Sequence, residues 1–434
     1  MKFADLHSNI KIRIVTDFFT DLTQKTVLPF MGIYLSIQIG VGWAGLLLTV
    51  NIAASMLAGL AAGYLSDRMG RKKLMVIAQS LQVFSLFWLA AANSPWMNSV
   101  TLTCLMFLLS SISSGITAPI ASAMIVDVSS EQERHYIYGL QYWTTNVAIT
   151  FGALLGGLLF ESFRFLLFSL VCAESIVTLL ILLFLIHETM VNKHYVSINS
   201  ANDPSVSPPS EPSGQLKSAL QNNMLNTYKK ILRDKRFMGF FTATVLAVAL
   251  EFQLDKYIAV RLKNEFASEF LGFHISGLHM FSIVIIINTV MVALIAIPFG
   301  KYIRRISSKT IITAGMLLYT SGFVVLAFSN WAWLLITSAV LFTIGELMYS
   351  PVRQVLLAGI IPDSNRAAYL AADGLSYNVA ALLGSLGLAI GALLPSYVMA
   401  GLYLTAGLGA LFFFRMSLRA EAKRNPNTSF ADAS

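Results

Sequence analysis

Apolar runs of helix-spanning length, separated by short polar breaks, fill almost the whole chain. They lie near residues 12–37, 42–64, 74–93, 100–127, 136–160 and 165–186. After one long polar interval they resume near 237–260, 272–299, 309–328, 331–354, 367–393 and 397–415. An α-helix rises 1.5 Å per residue, so roughly 20 apolar residues cross a hydrocarbon layer roughly 30 Å thick. The pattern predicts an all-α membrane protein of twelve transmembrane helices in two sets of six. The polar interval divides the chain into a first bundle (1–186), a linker (187–236) and a second bundle (237–434). Within the linker, the Ser- and Pro-rich stretch from Ser205 to Gly214 cannot bury a core and reads as a flexible connector. Gln215 to Arg236 spaces Leu216, Leu220, Met224, Tyr228 and Ile231 mostly at i,i+4. That spacing fits an amphipathic helix on the inner membrane surface or a helical extension of helix 7 into water.

Composition and charge agree with the pattern. The chain of 434 residues is 56% hydrophobic and 12% charged, against about 25% charged in soluble domains. Its net charge of +8 follows the polar breaks. Lys25, Lys256 and Arg353 fall within helices, and Arg164, Arg261 and Lys263 fall in one set of loops. The remaining Lys and Arg cluster in the other set, which marks a cytoplasmic face and places both termini there. The excess is thus an orientation signal, and no nucleic-acid partner is expected. Cys104 and Cys172 each sit inside an apolar run and suggest neither a disulfide framework nor a metal site. The first apolar run lacks a small-residue cleavage site and reads as a retained helix. No Ser/His/Asp arrangement, metal-ligand cluster or nucleotide-binding motif is present, so neither an enzyme nor a cofactor is expected.

The two halves are related by an internal repeat. A constant offset of 232 residues pairs Pro119 with Pro351, Arg134 with Arg366, Asn146 with Asn378 and Gly152 with Gly384. Two six-helix halves joined by a linker suit a rocking transporter with its substrate near the midplane.

Ionisable residues at membrane depth are the sharpest functional signal, because each is costly to insert. Glu346 sits in predicted helix 10 without an adjacent base. Glu251 and Asp255 are four residues apart in predicted helix 7, and Asp17, Asp21 and Lys25 form a similar stripe in the first helix. Glu174 is alone in helix 6. Neighbouring carboxylates in a low dielectric favour holding a proton, so Glu346, Glu251, Asp255, Asp21 and Asp17 are the candidate proton or cation carriers. Tyr142, Trp143, Asn146, Asn378 and Tyr349 are candidates for the substrate cavity. An aromatic cavity with one or two acids favours lipophilic cations. Ser130 to Glu133 fits a capping box that starts helix 5. Glu131-Gln132-Glu133-Arg134 resembles an element of proton-coupled peptide transporters, but it lies in an inner loop rather than in helix 1, and reads as a cap.

Gly63-Tyr-Leu-Ser-Asp67-Arg-Met-Gly70-Arg71-Lys-Lys73, wedged between the second and third helices, resembles the signature loop of the major facilitator superfamily. That resemblance implies an inner gate in which Asp67 docks on the end of helix 11 and Arg71 pairs with Asp127, with Gly63 and Gly70 shaping the turn. Gly152-Ala153-Leu-Leu-Gly156-Gly157 resembles the superfamily's antiporter motif, with Ala153 in place of its proline. The stretches 127–134, Tyr142-Trp143-Thr-Thr-Asn146 and Gly345-Glu346 through Ser350-Pro351 to Gln354 resemble the drug/proton antiporter branch, especially LmrP-type multidrug transporters. Gln141 stands where that branch has an acid. The resemblance implies a proton-coupled secondary transporter of the plasma membrane that exports lipophilic or cationic compounds, conferring multidrug efflux and antibiotic resistance. Its partners would be a small-molecule substrate, protons and the lipid bilayer, and it would work as a monomer. A proton symporter for a metabolite or peptide, and a lipid flippase, are the alternatives on the same scaffold.

Overall fold

The computed structural model describes residues 6–129, 131–188, 229–270, 273–303, 306–362 and 366–422. The first half comprises α1 (Ser8–Ile39), α2 (Val41–Met69), α3 (Arg71–Ala92), α4 (Val100–Asp127), α5 (Glu131–Leu159) and α6 (Arg164–Phe184). The second comprises α7 (Lys235–Glu265), α8 (Gly277–Ile303), α9 (Ser308–Phe328), α10 (Ala332–Ile360), α11 (Arg366–Gly391) and α12 (Ser396–Ala422). Ten of these are long and apolar enough to cross a membrane; α1 and α5 are as long but more polar. The polar positions of α1 include Asp17, Asp21 and Lys25, the same residues that make it a functional candidate.

Local chemistry sets the ends. Ser99, Asp234 and Ser307 accept backbone N–H groups at the starts of α4, α7 and α9, satisfying donors that have no partner inside the helix. Gly40 and Gly70 turn the chain at φ 85° and 90° between α1, α2 and α3, a conformation that only glycine adopts without strain. Two small antiparallel pairs sit at the end of the bundle away from the Gly63–Lys73 loop. They are β1 (Asn93–Ser94) with β2 (Met97–Asn98), and β3 (Ala267–Phe270) with β4 (Phe273–Ser276). The second pair corrects the predicted helix start at 272. Gly277 sits so close to the Leu262 backbone that a side chain there would collide, so α8 begins where it meets the end of α7. Buried Arg261 fixes the same corner, donating to the Leu326 and Ser329 carbonyls at 2.9 and 2.6 Å and to Asn330 and Glu265. Of the expected surface helix, 215–228 lies outside the described residues. Residues 229–233 are helical, and Ile231 is buried against the second half. Ser130, Asp363 and the basic pair at 304–305 also lie outside.

Packing repeats with a shift of six helices. Within the first half α2 packs on α4, α3 on α4 and α6, and α1 on α5 and α6. Within the second half α8 packs on α10, α9 on α10 and α12, and α7 on α11 and α12. The halves meet along α2 with α11, α5 with α8, and α1 with α7. Glycines permit this contact at the end away from the charged loop. A side chain on Gly45 would strike the Ala389 backbone, and one on Gly157 would strike Ser282. Lys263 and Glu161 join the halves by an ion pair at the same end. Toward the charged loop, Gly63, Gly139 and Gly374 face open space. The close contacts between the halves gather at the end away from the charged loop.

Candidate functional site

The second half gathers its acids where α7, α8 and α10 converge. Asn288 of α8 donates its amide to Glu346 Oε2 at 2.8 Å and to Thr343 Oγ1 at 3.2 Å. Glu251 of α7 lies within electrostatic reach of Glu346 and of Asp255. It makes no hydrogen bond or ion pair among the described residues and presents accessible surface within the bundle. The α-helix of α7 ends at Glu251 and continues as a π turn over Leu254–Ile258. That turn departs from the 3.6-residue period between Glu251 and Asp255, which stay within electrostatic reach of each other. Asp255 pairs with Lys256 at 2.5 Å and lines a cavity at the seam. π turns in membrane helices often mark functional positions.

Arg353, two turns beyond Glu346, does not neutralise it. Its guanidinium donates to both oxygens of Asp373 at 2.6 and 2.8 Å and to Thr244 at 3.2 Å, and it stacks over Phe240 and Tyr377, each at 5.3 Å. Sequence reasoning missed Asp373. The signal existed, since the offset of 232 that pairs Asn146 with Asn378 also pairs Gln141 with Asp373.

The first-half acids have donors. Asp17 accepts from Arg13 at 2.9 Å and from Gln141. Asp21 accepts from Thr145 at 2.7 Å. Glu174, which looked isolated in the sequence, accepts from Thr20 of α1 at 2.6 Å and from Thr178 at 2.7 Å. The Thr20 and Thr145 hydroxyls tie α1 to α6 and α5, and nothing in their sequence neighbourhood distinguished them from other helix threonines.

At the charged loop, Arg71 Nε meets Asp127 Oδ2 at 2.5 Å, joining α3 to α4 within one half. The Glu188 carboxylate accepts the backbone N–H groups of Arg71 and Lys72 at 3.2 and 3.0 Å, where the helix dipole favours an anion. Sequence reading had not singled out Glu188. Gly70 makes room for it, since a Cβ there would sit 2.9 Å from its carboxylate. The Asp67 and Tyr142 side chains lie outside the described residues. Trp143 is exposed, and Tyr349 is buried against Tyr319 and Phe414 in the second half. Asn378 lines the seam cavity, whose volume is 620 Å³, together with Lys25, Asn51, Asp255 and Lys256. Among the described residues no cluster of His, Cys, Asp and Glu is suited to a metal ion.

A two-half helical bundle with a cavity at its seam and ionisable groups at membrane depth defines a membrane transport protein. The family model for the Major Facilitator Superfamily matches residues 14–291 and 262–433, and the chain belongs to that superfamily. Among relatives, a "Na(+), Li(+), K(+)/H(+) antiporter" of Planococcus maritimus is 30% identical over 88% of this chain and 89% of its own. The multidrug resistance protein MdtH of Cronobacter sakazakii is 24% identical over 80% and 77%. Among solved structures, a mutant of peptide transporter POT in complex with sulfate superposes with a TM-score of 0.71. It is 16% identical and covers 98% of each chain, a likeness of fold alone. The protein is therefore a transporter and not an enzyme. Small molecules and ions such as protons are what proteins of this kind move.

Proposed function

We propose that this chain is a proton-coupled antiporter that exports cationic, lipophilic compounds by alternating access, with Glu346 and Glu251 as its coupling acids. The observation that carries this reading is the pair itself. Two carboxylates from α7 and α10 lie within electrostatic reach, one held only by an amide and the other unpartnered among the described residues, while Arg353 on α10 is committed to Asp373. Carboxylates held close together within the bundle repel each other, and a shared proton or a bound cation relieves the repulsion. Moving one charge through 100 mV supplies ~2.3 kcal/mol, so a proton gradient is a sufficient drive.

In this reading twelve helices span the cell membrane, both termini face the cytoplasm, and each half moves as one body in a monomer. The charged loop is then the inner face, and a bundle whose halves are held closely at the opposite end is the inward-open state. Asp67, Arg71 and Asp127 latch that face when it closes, and Asp255, Asp21 and Asp17 are secondary coupling positions. A second reading, exchange of alkali cations for protons, is favoured by the printed name of the Planococcus maritimus relative and by the same two acids.

The test uses everted membrane vesicles with an imposed pH gradient. Proton release on adding ethidium or tetraphenylphosphonium, lost in Glu346→Gln, is the expected result. Release with sodium or potassium and not with organic cations would select the second reading. Proton uptake driven by a peptide or metabolite would overturn both in favour of symport, and translocation of a fluorescent lipid without proton movement would indicate a flippase.

A further inference from the structure

The seam cavity does not stop at the seam. From Asp255, Lys256 and Asn378 it runs past α1 and α2 to Gln82 on α3 and Phe168 on α6, inside the first bundle. Most of the residues on its wall are apolar, yet among the described residues two polar side chains on that wall, Lys25 and Asn51, have no partner and a third, Gln82, is bonded on one side only. Lys25 makes no ion pair or hydrogen bond. Asp21, one turn earlier, accepts from Thr145 at 2.7 Å, and Asp255 is held by Lys256 at 2.5 Å. Asn51 is 3% exposed, and neither its amide nitrogen nor its oxygen has a hydrogen-bond partner. Gln82 donates to Ser110 at 2.9 Å, while its Oε1 accepts from nothing.

A lone ammonium at membrane depth is costly, and so is a buried amide stripped of every hydrogen bond. Lys25 and Lys256 against Asp255 leave the cavity one positive charge in excess. Its 620 Å³ falls among the volumes of small-molecule sites, roughly 300–1,000 Å³. The geometry points to a binding site for an amphipathic organic anion, with a carboxylate on Lys25, a hydrogen-bonding group at Asn51, and an apolar body along Leu48, Leu86, Phe107 and Phe168. The site is distinct from the principal coupling acids, since neither Glu251 nor Glu346 lines it and only Asp255 is shared with the secondary positions, and it stands whether or not Glu251 and Glu346 carry protons. Two sources present such a head on such a body: a soluble amphiphile that the protein transports, and an anionic lipid of the bilayer.

The experiment is calorimetric titration of the purified full-length protein with para-butylbenzoate, para-butylbenzyl alcohol and para-butylbenzylammonium, which share one body and differ in head charge. Saturable benzoate binding, with the alcohol and the ammonium at least roughly tenfold weaker, is the expected result. Lys25→Gln should weaken benzoate by a similar factor, Lys25→Arg should restore it, and Asn51→Leu should weaken it less. Equal binding of the three heads would overturn the site, as would wild-type benzoate affinity in a folded Lys25→Gln protein. Should that variant fail to fold, the head-group series on the wild type still decides. Repeating the titration in nanodiscs with and without phosphatidylglycerol separates the sources. Competition by that lipid identifies a bilayer occupant, and unchanged affinity identifies a soluble amphiphile.

Discussion

The two halves share one packing plan and differ in whether they leave an acid without a donor. In the first half every carboxylate on α1 and α6 has a donor: Arg13 on Asp17, Thr145 on Asp21, Thr20 and Thr178 on Glu174. In the second, Asp255 and Asp373 are held by Lys256 and Arg353, but Glu346 has the Asn288 amide alone and Glu251 has no donor among the described residues. A satisfied buried charge holds helices together and resists change, whereas an unsatisfied one is available to a proton or a ligand. On the proposed reading, Glu174 tethers, Glu346 and Glu251 carry the main coupling, and Asp17 and Asp21, being held by donors, contribute to coupling only secondarily.

The sharpest way to break this contrast is to neutralise one acid in each half. Glu346→Gln and Glu251→Gln should each lower ethidium efflux from energised cells to the level of protonophore-treated cells. Asp21→Asn, which keeps an acceptor for Thr145, should leave most of it. Efflux that survives both second-half changes and fails in Asp21→Asn would reverse the assignment.

The next largest effect concerns stability. Arg353 and Asp373 are both buried and bonded through two oxygens. Removing one partner strands the other, so Arg353→Met should destabilise the protein by about 3–5 kcal/mol. The double variant Arg353→Met with Asp373→Leu should regain most of that loss, as read by thermal unfolding in detergent. A double variant no more stable than the single would show that the arginine is needed for more than pairing, its stacking on Phe240 and Tyr377 being the remaining contact.

Much of this was legible in the sequence, and the gaps have physical causes. Apolar run length located the helices to within a few residues because a bilayer imposes one thickness on each of them. The loop from Gly63 to Lys73 and Glu346 stood out because charge and glycine are rare in such company. What hid was whatever depends on a partner far along the chain. Asn288, Thr20 and Thr145 are ordinary helix residues until another helix brings a carboxylate to them, and Glu188 is a lone acid until α3 presents its first N–H groups. The π turn in α7 hid for a different reason: periodicity assumes a regular helix, and Gly384 and Gly387 pack closely on Phe252 and Gln253 where the helix departs from that period. Lys25 was read beside Asp17 and Asp21 as part of one stripe, yet its ammonium has no bond to either.

The seam offers a middle-sized test of the same contrast, because tethering in the first half is useful only if the halves move as units. Gly157→Val should push α5 off Ser282 and disfavour the closely held end. Spin labels on β2 and β4 should then report longer distances in the variant than in the wild type, and efflux should fall without loss of folded protein. Unchanged distances would mean that the contact adapts and does not control opening.

The smallest expected effect isolates one tether. The Thr20 hydroxyl donates to Glu174 Oε1, and Thr178 donates to the same oxygen. Thr20→Val keeps shape and removes one donor, leaving the carboxylate with Thr178 and Thr23. The loss should be about 1 kcal/mol, the usual net worth of one such bond, and larger if water cannot replace it. Efflux should remain near wild type, since Glu174 has no coupling role in this scheme. Thr178→Val should behave alike, and the double variant should lose more than the sum of the two, because it leaves the charge with the Thr23 hydroxyl as its one remaining donor among the described residues. A double variant that instead gained proton-coupled efflux in a Glu346→Gln background would show that the first half holds a latent coupling acid, kept silent by its hydroxyls.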